Sequence, residues 1–152
     1  MKISVKWKRL KLRKGAREGL IYVIDLDKIP DSAGVYVLGR KHGQRCEALY
    51  VGQALELKGR VKGQLNNLKL MRHVQKADKG ERFLLFGEVI TKPGQNSKDV
   101  IRIVEKTLIR HFMSEGHDLV NKQGTSIREH EIDCDGNQPK KFIPRSMFLE
   151  KK

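Results

Sequence analysis

Two short segments, GVYVL at residues 34–38 and EALYV at residues 47–51, decide how this chain folds. Both are rich in β-branched and aromatic residues, which predicts two strands. Residues 39–45 between them contain two glycines and several basic side chains, as hairpin loops do, so we expect antiparallel neighbours. Because side chains alternate along a strand, Tyr36 is then expected on the opposite face from Val35.

Further helices and a third strand are predicted downstream of this hairpin. Between residues 57 and 68 apolar side chains recur every three or four positions, the spacing of a helix with one buried face. A second helix is expected near residues 68–79. The segment FLLFGEVI at residues 83–90 is almost continuously apolar and predicts a buried strand.

The most regular helical pattern lies between residues 96 and 112. Asn96 or Ser97 is expected to cap its N-terminus. Glu105 lies at the edge of the apolar stripe, where an unpaired carboxylate is costly. The buried stripe consists of Ile101, Val104, Leu108 and Phe112, and an exposed basic stripe consists of Arg102, Lys106 and Arg110.

The composition favours one domain with a polyanionic partner. The chain has 152 residues, 32 Lys plus Arg and 18 Asp plus Glu, which gives a formal net charge of +14 at pH 7. This length is typical of a single domain. Residues 1–20 hold eight basic residues against one acidic, and residues 39–82 hold eleven against four. Nucleic acid suits such a surface, although membrane headgroups or acidic proteins fit the charge equally well.

The sequence does not indicate a membrane-spanning protein, a secreted protein or a fold held together by a metal ion. The longest apolar run, residues 20–24, is far shorter than the roughly 20 residues that span a bilayer. No apolar stretch of signal-peptide length follows the basic N-terminus. Cys46 and Cys134 are far apart and form no CxxC pair, so neither a disulfide framework nor a zinc site is expected. We therefore expect a cytoplasmic, intracellular protein with no membrane partner.

The triplets GVY at residues 34–36 and YVG at residues 50–52, with thirteen residues between them, resemble the paired signature of the GIY-YIG nuclease family. Taken singly, such residues have ordinary structural explanations, such as a core tyrosine or a solvated arginine. Their joint order and spacing make residues 30–124 similar to this family. The further residues at family-like positions are Arg60, His73, Glu105 and Asn121.

The resemblance implies an α+β fold. Its expected form is a GIY-YIG domain with a small three-stranded antiparallel or mixed sheet flanked by helices, in the order strand, strand, helix, helix, strand, helix. An extra basic N-terminal arm and a C-terminal tail are expected outside it. The expected division is residues 1–29 for the arm and a lead strand, 30–124 for the catalytic domain, and 125–152 for an extension that packs on the domain or contacts DNA or a partner.

The resemblance also implies a divalent-metal-dependent DNA endonuclease, associated with the nucleoid, that hydrolyses phosphodiester bonds. One Mg²⁺ or Mn²⁺ ion per active site is expected, with no organic cofactor. Glu105 is the expected metal ligand, because hard cations take oxygen ligands and often keep several waters. Tyr50 is expected to take a proton from the attacking water, which Tyr36 orients.

Three further residues have expected roles in this site. Arg60 would contact the scissile phosphate and stabilise the tyrosine anion. His73 is a candidate proton carrier or phosphate contact, and Asn121 would order the site. The residues expected to bind DNA are Arg40, Lys41, Lys58, Lys62, Lys8, Arg9, Lys11 and Arg13.

Two positions depart from the family pattern. Gln53 stands where several relatives have lysine, and Gln64 stands where many have tyrosine or histidine. Glutamine cannot carry a proton, so an auxiliary base would be absent or moved to His73, or more weakly to His42. A catalytically inactive GIY-YIG-like nucleic-acid-binding module is therefore an alternative, and a basic structural protein is a third. A homodimer, the target specificity, and a restriction, repair or mobile-element role stay open.

Overall fold

The computed structural model describes residues 1–15, 20–120 and 130–149. The N-terminal elements are strands β1 (Lys2–Lys11), β2 (Arg13–Lys14) and β3 (Tyr22–Val23) and a 3₁₀ turn (Leu26–Lys28). The central elements are β4 (Gly34–His42), β5 (Arg45–Ala54), α1 (Leu57–Leu65), α2 (Leu68–Lys76), β6 (Glu81–Ile90) and α3 (Ser97–Ser114). The C-terminal strands are β7 (His130–Gly136) and β8 (Ser146–Leu149).

Six strands form one mixed sheet in the order β5-β4-β6-β1-β7-β8. Neighbouring strands are antiparallel except β1 and β7, which are parallel. The predicted hairpin is present as β4 and β5. The α+β class therefore stands, but the prediction of a small three-stranded sheet with a separate N-terminal arm and C-terminal tail is wrong.

The error has its cause in β1, whose basic sequence suggested an arm. Ile3, Val5 and Trp7 are each 1% exposed, because β1 lies inside the sheet between β6 and β7. The alternate positions Lys6 and Lys8 are exposed on the other face. A lysine can lay its aliphatic stem on a sheet while its ammonium group stays in water, so a basic strand can still be an interior strand.

The C-terminal part of the described chain also belongs to this body. Phe142, Ile143 and Met147 are buried, and β8 pairs with β7. The sheet thus includes strands from all three predicted segments, 1–29, 30–124 and 125–152. None of the helices in the described part of the chain has the length and apolar sequence that a membrane crossing requires.

The helices cover both faces of the sheet. The helix α3 packs on the face that carries Val35 and Val37, and α1 and α2 pack on the face that carries Tyr36 and Leu38. Between α1 and α2, the Asn67 side chain accepts a hydrogen bond from the Leu70 amide at 3.1 Å and so begins α2. The hairpin therefore separates two cores and presents its tyrosines to α1.

A buried arginine, Arg82, holds the end of α2 against β6. Only 9% of it is exposed, and no sequence pattern indicated a buried charge there. A cation at a helix C-terminus is favourable because it faces the carbonyl end of the helix dipole. Its guanidinium donates hydrogen bonds of 2.7–3.3 Å to the backbone carbonyls of Val74, Gln75, Ala77, Asp78 and Gly80.

His117 joins the segment after α3 to β5. Its Nδ1 accepts a hydrogen bond from the Ala48 amide at 2.8 Å, and its ring packs on Phe112 at 5.1 Å between centroids. Burial lowers the pKa of His117 below its ordinary value, and the charges of Glu47 and Glu115 oppose this effect, whereas His111 and Arg45 add to it. The neutral ring is therefore the form that the fold requires.

Acidification is expected to destabilise the protein through His117. Because the pKa is lower in the folded than in the unfolded chain, the unfolded chain takes up the proton first as the pH falls through the ordinary histidine range, and stability is lost. Urea denaturation between about pH 7.5 and about pH 5.5 measures this loss. The variant His117→Asn keeps an acceptor but does not titrate, so its stability should depend less on pH. An equal pH dependence in both proteins would contradict this role.

Candidate active site

Tyr36 and Tyr50 lie side by side on one face of the β4–β5 hairpin. The strand register pairs Tyr36 with Gly52 and Leu38 with Tyr50. The two rings are 6.1 Å apart between centroids and tilted by 32°. Tyr36 is 1% exposed, whereas Tyr50 is half-buried. The two phenols are thus held together, with Tyr50 the more accessible.

Two glycines of the paired triplets are required by close packing. At Gly52 a β-carbon would overlap the ring and hydroxyl of Tyr36. At Gly34 a β-carbon would overlap the Gly87 carbonyl of the neighbouring strand β6. The glycine of YVG therefore makes the space in which the tyrosine of GVY lies.

Gln64 of α1 connects the two tyrosine hydroxyls. Its Nε2 donates to the Tyr36 hydroxyl at 2.8 Å and to the Tyr50 hydroxyl at 3.3 Å. Its carbonyl oxygen accepts from Asn67 at 3.4 Å, which fixes the direction of the amide. The sequence showed Gln64 only as a lost proton carrier, and this bridging role was missed. Its position one turn after Arg60 on the same helix was the sequence signal that could have indicated this role.

Arg60 lies on the exposed side of α1, one turn before Gln64. A hydrogen bond with the Tyr36 hydroxyl is the main cause that raises the pKa of Arg60, and the nearby Tyr50 and Glu105 add to it. This guanidinium therefore stays charged beside both phenols. A charged, solvent-accessible arginine at this point can receive a phosphate.

Tyr36 itself stays protonated. Burial is the largest cause that raises the pKa of Tyr36, and the neighbouring Tyr50 raises it further, whereas hydrogen bonds from Gln64 and Arg60 oppose the shift. Desolvation disfavours the charged phenolate. Tyr36 is therefore suited to orient other groups and not to accept a proton.

Glu105 interacts electrostatically with Arg60 of this group. Its helix α3 packs on the other face of the sheet from α1, and β5 is the edge strand of that sheet. Burial raises the pKa of Glu105, and Lys106, Arg60 and Arg102 oppose this effect. Arg60 and Glu105 are thus within electrostatic reach of each other. Among the described residues, Glu105 has no ion-pair partner at contact distance.

A lone carboxylate suits a hard cation that keeps water ligands, and it does not make a metal site built from several protein side chains. Within the described residues, no group of three or more His, Cys, Asp or Glu side chains is placed to hold a metal ion. Mg²⁺ commonly uses one or two protein carboxylates and completes its shell with waters and substrate phosphate. Glu105 alone is compatible with that mode of binding.

Neither His73 nor Gln53 makes a hydrogen bond to this group among the described residues. His73 is half-buried on α2, and its Nε2 has no hydrogen-bond partner among the described residues. Gln53 lies on β5 but on the face opposite Tyr50, next in line to Gly52. Asn121 lies outside the described residues.

The residues expected to bind DNA fall into separate places. Lys58 and Lys62 are on α1, but residues two positions from Arg60 lie on the opposite side of the helix from it. Arg40 is only 17% exposed, and its guanidinium bonds the Glu47 carboxylate at 2.6 Å and the Lys79 carbonyl at 3.0 Å. Its donors thus serve the fold.

The basic residues of the N-terminal strands are exposed but are not on one face. The register aligns Lys8 with Phe86 and Phe86 with Tyr36, so Lys8 projects from the tyrosine face. Arg9 projects from the opposite face, and Lys11 forms an ion pair with Glu81 at 3.0 Å. The other two residues of this set are Arg13, exposed in β2, and Lys41, half-exposed near the end of β4.

Comparison of the chain with protein-family models, with curated proteins and with solved structures gives no match. The relation to GIY-YIG nucleases therefore stays a prediction from the sequence.

Proposed function

We propose that this chain is a divalent-metal-dependent DNA endonuclease of the GIY-YIG type. The observation that carries the proposal is a chain of interactions between four elements: Tyr36 of β4 packs beside Tyr50 of β5, Arg60 of α1 bonds Tyr36, and Arg60 interacts electrostatically with Glu105 of α3. Gln64 reinforces it by donating to both tyrosine hydroxyls. A proton acceptor, a cation and a free carboxylate are what phosphodiester hydrolysis needs in one place.

Tyr50 is the proton acceptor in this proposal. A free tyrosine is a weak base at neutral pH, so its anion has to be stabilised. The Gln64 amide donates to its hydroxyl, and the charge of Arg60 lies close by. Tyr36, which stays protonated, orients the attacking water. Arg60 also binds the scissile phosphate and stabilises the charge that develops on it.

Glu105 would hold the metal ion, Mg²⁺ or Mn²⁺. When bound, such an ion polarises a phosphoryl oxygen as a Lewis acid. The half-buried position of the carboxylate and the absence of an ion pair among the described residues leave it available for this role. Action on DNA in the cytoplasm, at the nucleoid, belongs to the same proposal.

The test is plasmid cleavage with Mg²⁺, with Mn²⁺ and with EDTA. We expect nicked or linear product only with a metal ion. Tyr50→Phe should lower the rate at least about 100-fold, the usual contribution of a general base. Tyr22→Phe is the matched control, because Tyr22 is a buried tyrosine of β3, in the two-stranded sheet and outside the β4–β5 hairpin. Equal rates for Tyr50→Phe and the unaltered protein would overturn the proposal.

Gln64 is the observation that favours a second candidate, the inactive nucleic-acid-binding module. Its amide cannot accept a proton, and it occupies the place next to both hydroxyls where an auxiliary base would act. This candidate predicts that the protein binds DNA but leaves a plasmid intact with either metal ion. The cleavage experiment therefore separates the two candidates.

Gln64→Glu is expected to lower the cleavage rate about 100-fold, the usual cost of losing one donor to a developing anion. The change keeps the shape of the side chain, but a carboxylate cannot donate to Tyr50 and repels its anion. Single-turnover rates measure the effect. The control Gln75→Glu makes the same change at an exposed position on α2. A rate unchanged by Gln64→Glu would show that Gln64 has no part in stabilising the phenolate.

A further inference from the structure

A pocket lies at the far end of β5 from Gly52, beyond the C-terminal end of α3. Its volume is about 470 Å³. It is bounded by the start of β5, by the last turn of α3 and by the loop at residues 138–144. The side chains that define its chemistry are Arg45, Lys140, Lys141, His111 and Glu115.

The pocket carries unneutralised positive charge. Arg45, Lys140 and Lys141 are all exposed, and the lining contains one carboxylate, that of Glu115. Within the described parts of the chain, none of the three cations forms an ion pair. Arg40 nearby differs, since Glu47 neutralises it at 2.6 Å. The cations of the pocket are therefore available to an external anion.

The loop that presents the two lysines is rigidly built. Gln138 bonds both backbone groups of Ile143, donating to its carbonyl at 2.6 Å and accepting from its amide at 2.7 Å. Phe142 is anchored in the core, 5.1 Å from Phe112 between ring centroids. Lys141 has φ of 60°, a left-handed backbone that non-glycine residues rarely adopt. Strain of this kind is concentrated at ligand-binding sites.

We propose that this pocket binds a backbone phosphate of the same nucleic acid that the tyrosine group cuts. Arg and Lys donors that line one cavity are usual receptors of a phosphate. That the ligand is DNA rests on the proposed function. That the ligand carries a phosphate rests on the side chains of the pocket alone. The pocket thus forms a second contact, which binds the DNA at some distance from the point of cleavage.

The length of α3 sets the span between the two contacts. Glu115, the residue that caps the C-terminal end of this helix, is ten residues after Glu105, which corresponds to roughly 15 Å. One DNA strand carries a phosphate every 3.4 Å along the axis, so the span corresponds to roughly four nucleotides. A duplex that ends closer than this to the cut cannot reach the pocket.

The test compares a long duplex with one that ends about two nucleotides from the cut, half of that span. We expect the unaltered protein to bind the long duplex about tenfold more tightly, the effect of about one good phosphate contact. In the triple variant Arg45→Gln, Lys140→Gln, Lys141→Asn this advantage should disappear. Asparagine is used at residue 141 because it tolerates the left-handed backbone. The charge-matched control neutralises the exposed Lys69, Lys92 and Lys98 and should keep the advantage.

The outcomes separate this inference from the proposed function. If DNA is bound but not cut and the triple variant still removes the length advantage, the pocket stands and the endonuclease proposal fails. If cleavage occurs and the triple variant keeps the advantage, the pocket proposal is overturned. Two measurements test whether the pocket instead serves another anion: stabilisation of the protein by inorganic phosphate or a mononucleotide, and binding to anionic vesicles. If the triple variant loses either of these while its DNA affinity is unchanged, the pocket proposal is also overturned. If the triple variant proves unstable in urea, Arg45→Gln alone, outside the strained loop, is compared in the same way.

Discussion

Glu105→Gln is expected to lower the cleavage rate by about 1000-fold or more while it makes the protein more stable. The loss follows because the metal ion contributes several kcal/mol of charge stabilisation in the transition state, and an amide holds such an ion poorly. The gain follows from burial, which raises the pKa of Glu105 and so makes its ionised form less favourable in the folded than in the unfolded chain.

Two measurements check this expectation together. Urea denaturation at pH 7 should give a higher midpoint for Glu105→Gln, and the gain should vanish below about pH 4, where the carboxyl group is protonated in both states. Mg²⁺ should stabilise the unaltered protein but not the variant. Asp99→Asn, exposed on the same helix, is the control. Cleavage within tenfold of the unaltered protein would remove Glu105 from the site.

Gly52→Ala is expected to damage both the fold and the proposed activity. The new methyl group overlaps the Tyr36 ring and hydroxyl, and Tyr36 has no free space, since it is 1% exposed. Overpacking of this kind costs about 1–3 kcal/mol of unfolding free energy. Displacement of Tyr36 also breaks its hydrogen bonds to Gln64 and Arg60, and a shift of about 1 Å in a catalytic group lowers the rate about 100-fold.

The chain offers a matched control for this substitution. Gly63 lies in α1, and no neighbouring atom lies within 4 Å of the position that a methyl group would take there. Gly63→Ala should therefore raise the unfolding free energy by about 0.5–1 kcal/mol. The double variant Gly52→Ala, Tyr36→Leu removes the overlapping ring. Its destabilisation should be smaller than the sum of the two single changes. Additive costs would show that the methyl group and the ring do not meet.

Much of the candidate site could be predicted because its signals are local. The hairpin follows from two strand-like segments around a glycine-containing loop, and alternation along a strand separates Tyr36 from Val35. The helical spacing after residue 57 places Arg60 and Gln64 one turn apart. The amphipathic pattern of α3 placed Glu105 at the edge of a buried stripe, where the structure has it half-buried. Patterns within about 20 residues carry this information.

The rest depends on partners that are distant in sequence. Nothing near Arg82 shows that five carbonyls at the end of α2 will surround it. The donor role of Gln64 depends on two hydroxyls from another element. The alternation of β1 predicts a strand, but not that strands from both sides will pair with it. Such long-range pairings decided the size of the sheet, and the three-stranded prediction failed for that reason.

The interior place of β1 has a consequence for synthesis on the ribosome. Its partners in β6 are 72 residues away at Lys11 and Phe83, and 86 away at Ser4 and Ile90. At 5–20 residues per second, β1 waits roughly 4 to 17 seconds for its first neighbour, with both edges unpaired. Lysines along an unpaired strand discourage its association with other chains. The basic residues of β1 thus protect the nascent chain from aggregation before they have any role in the folded protein.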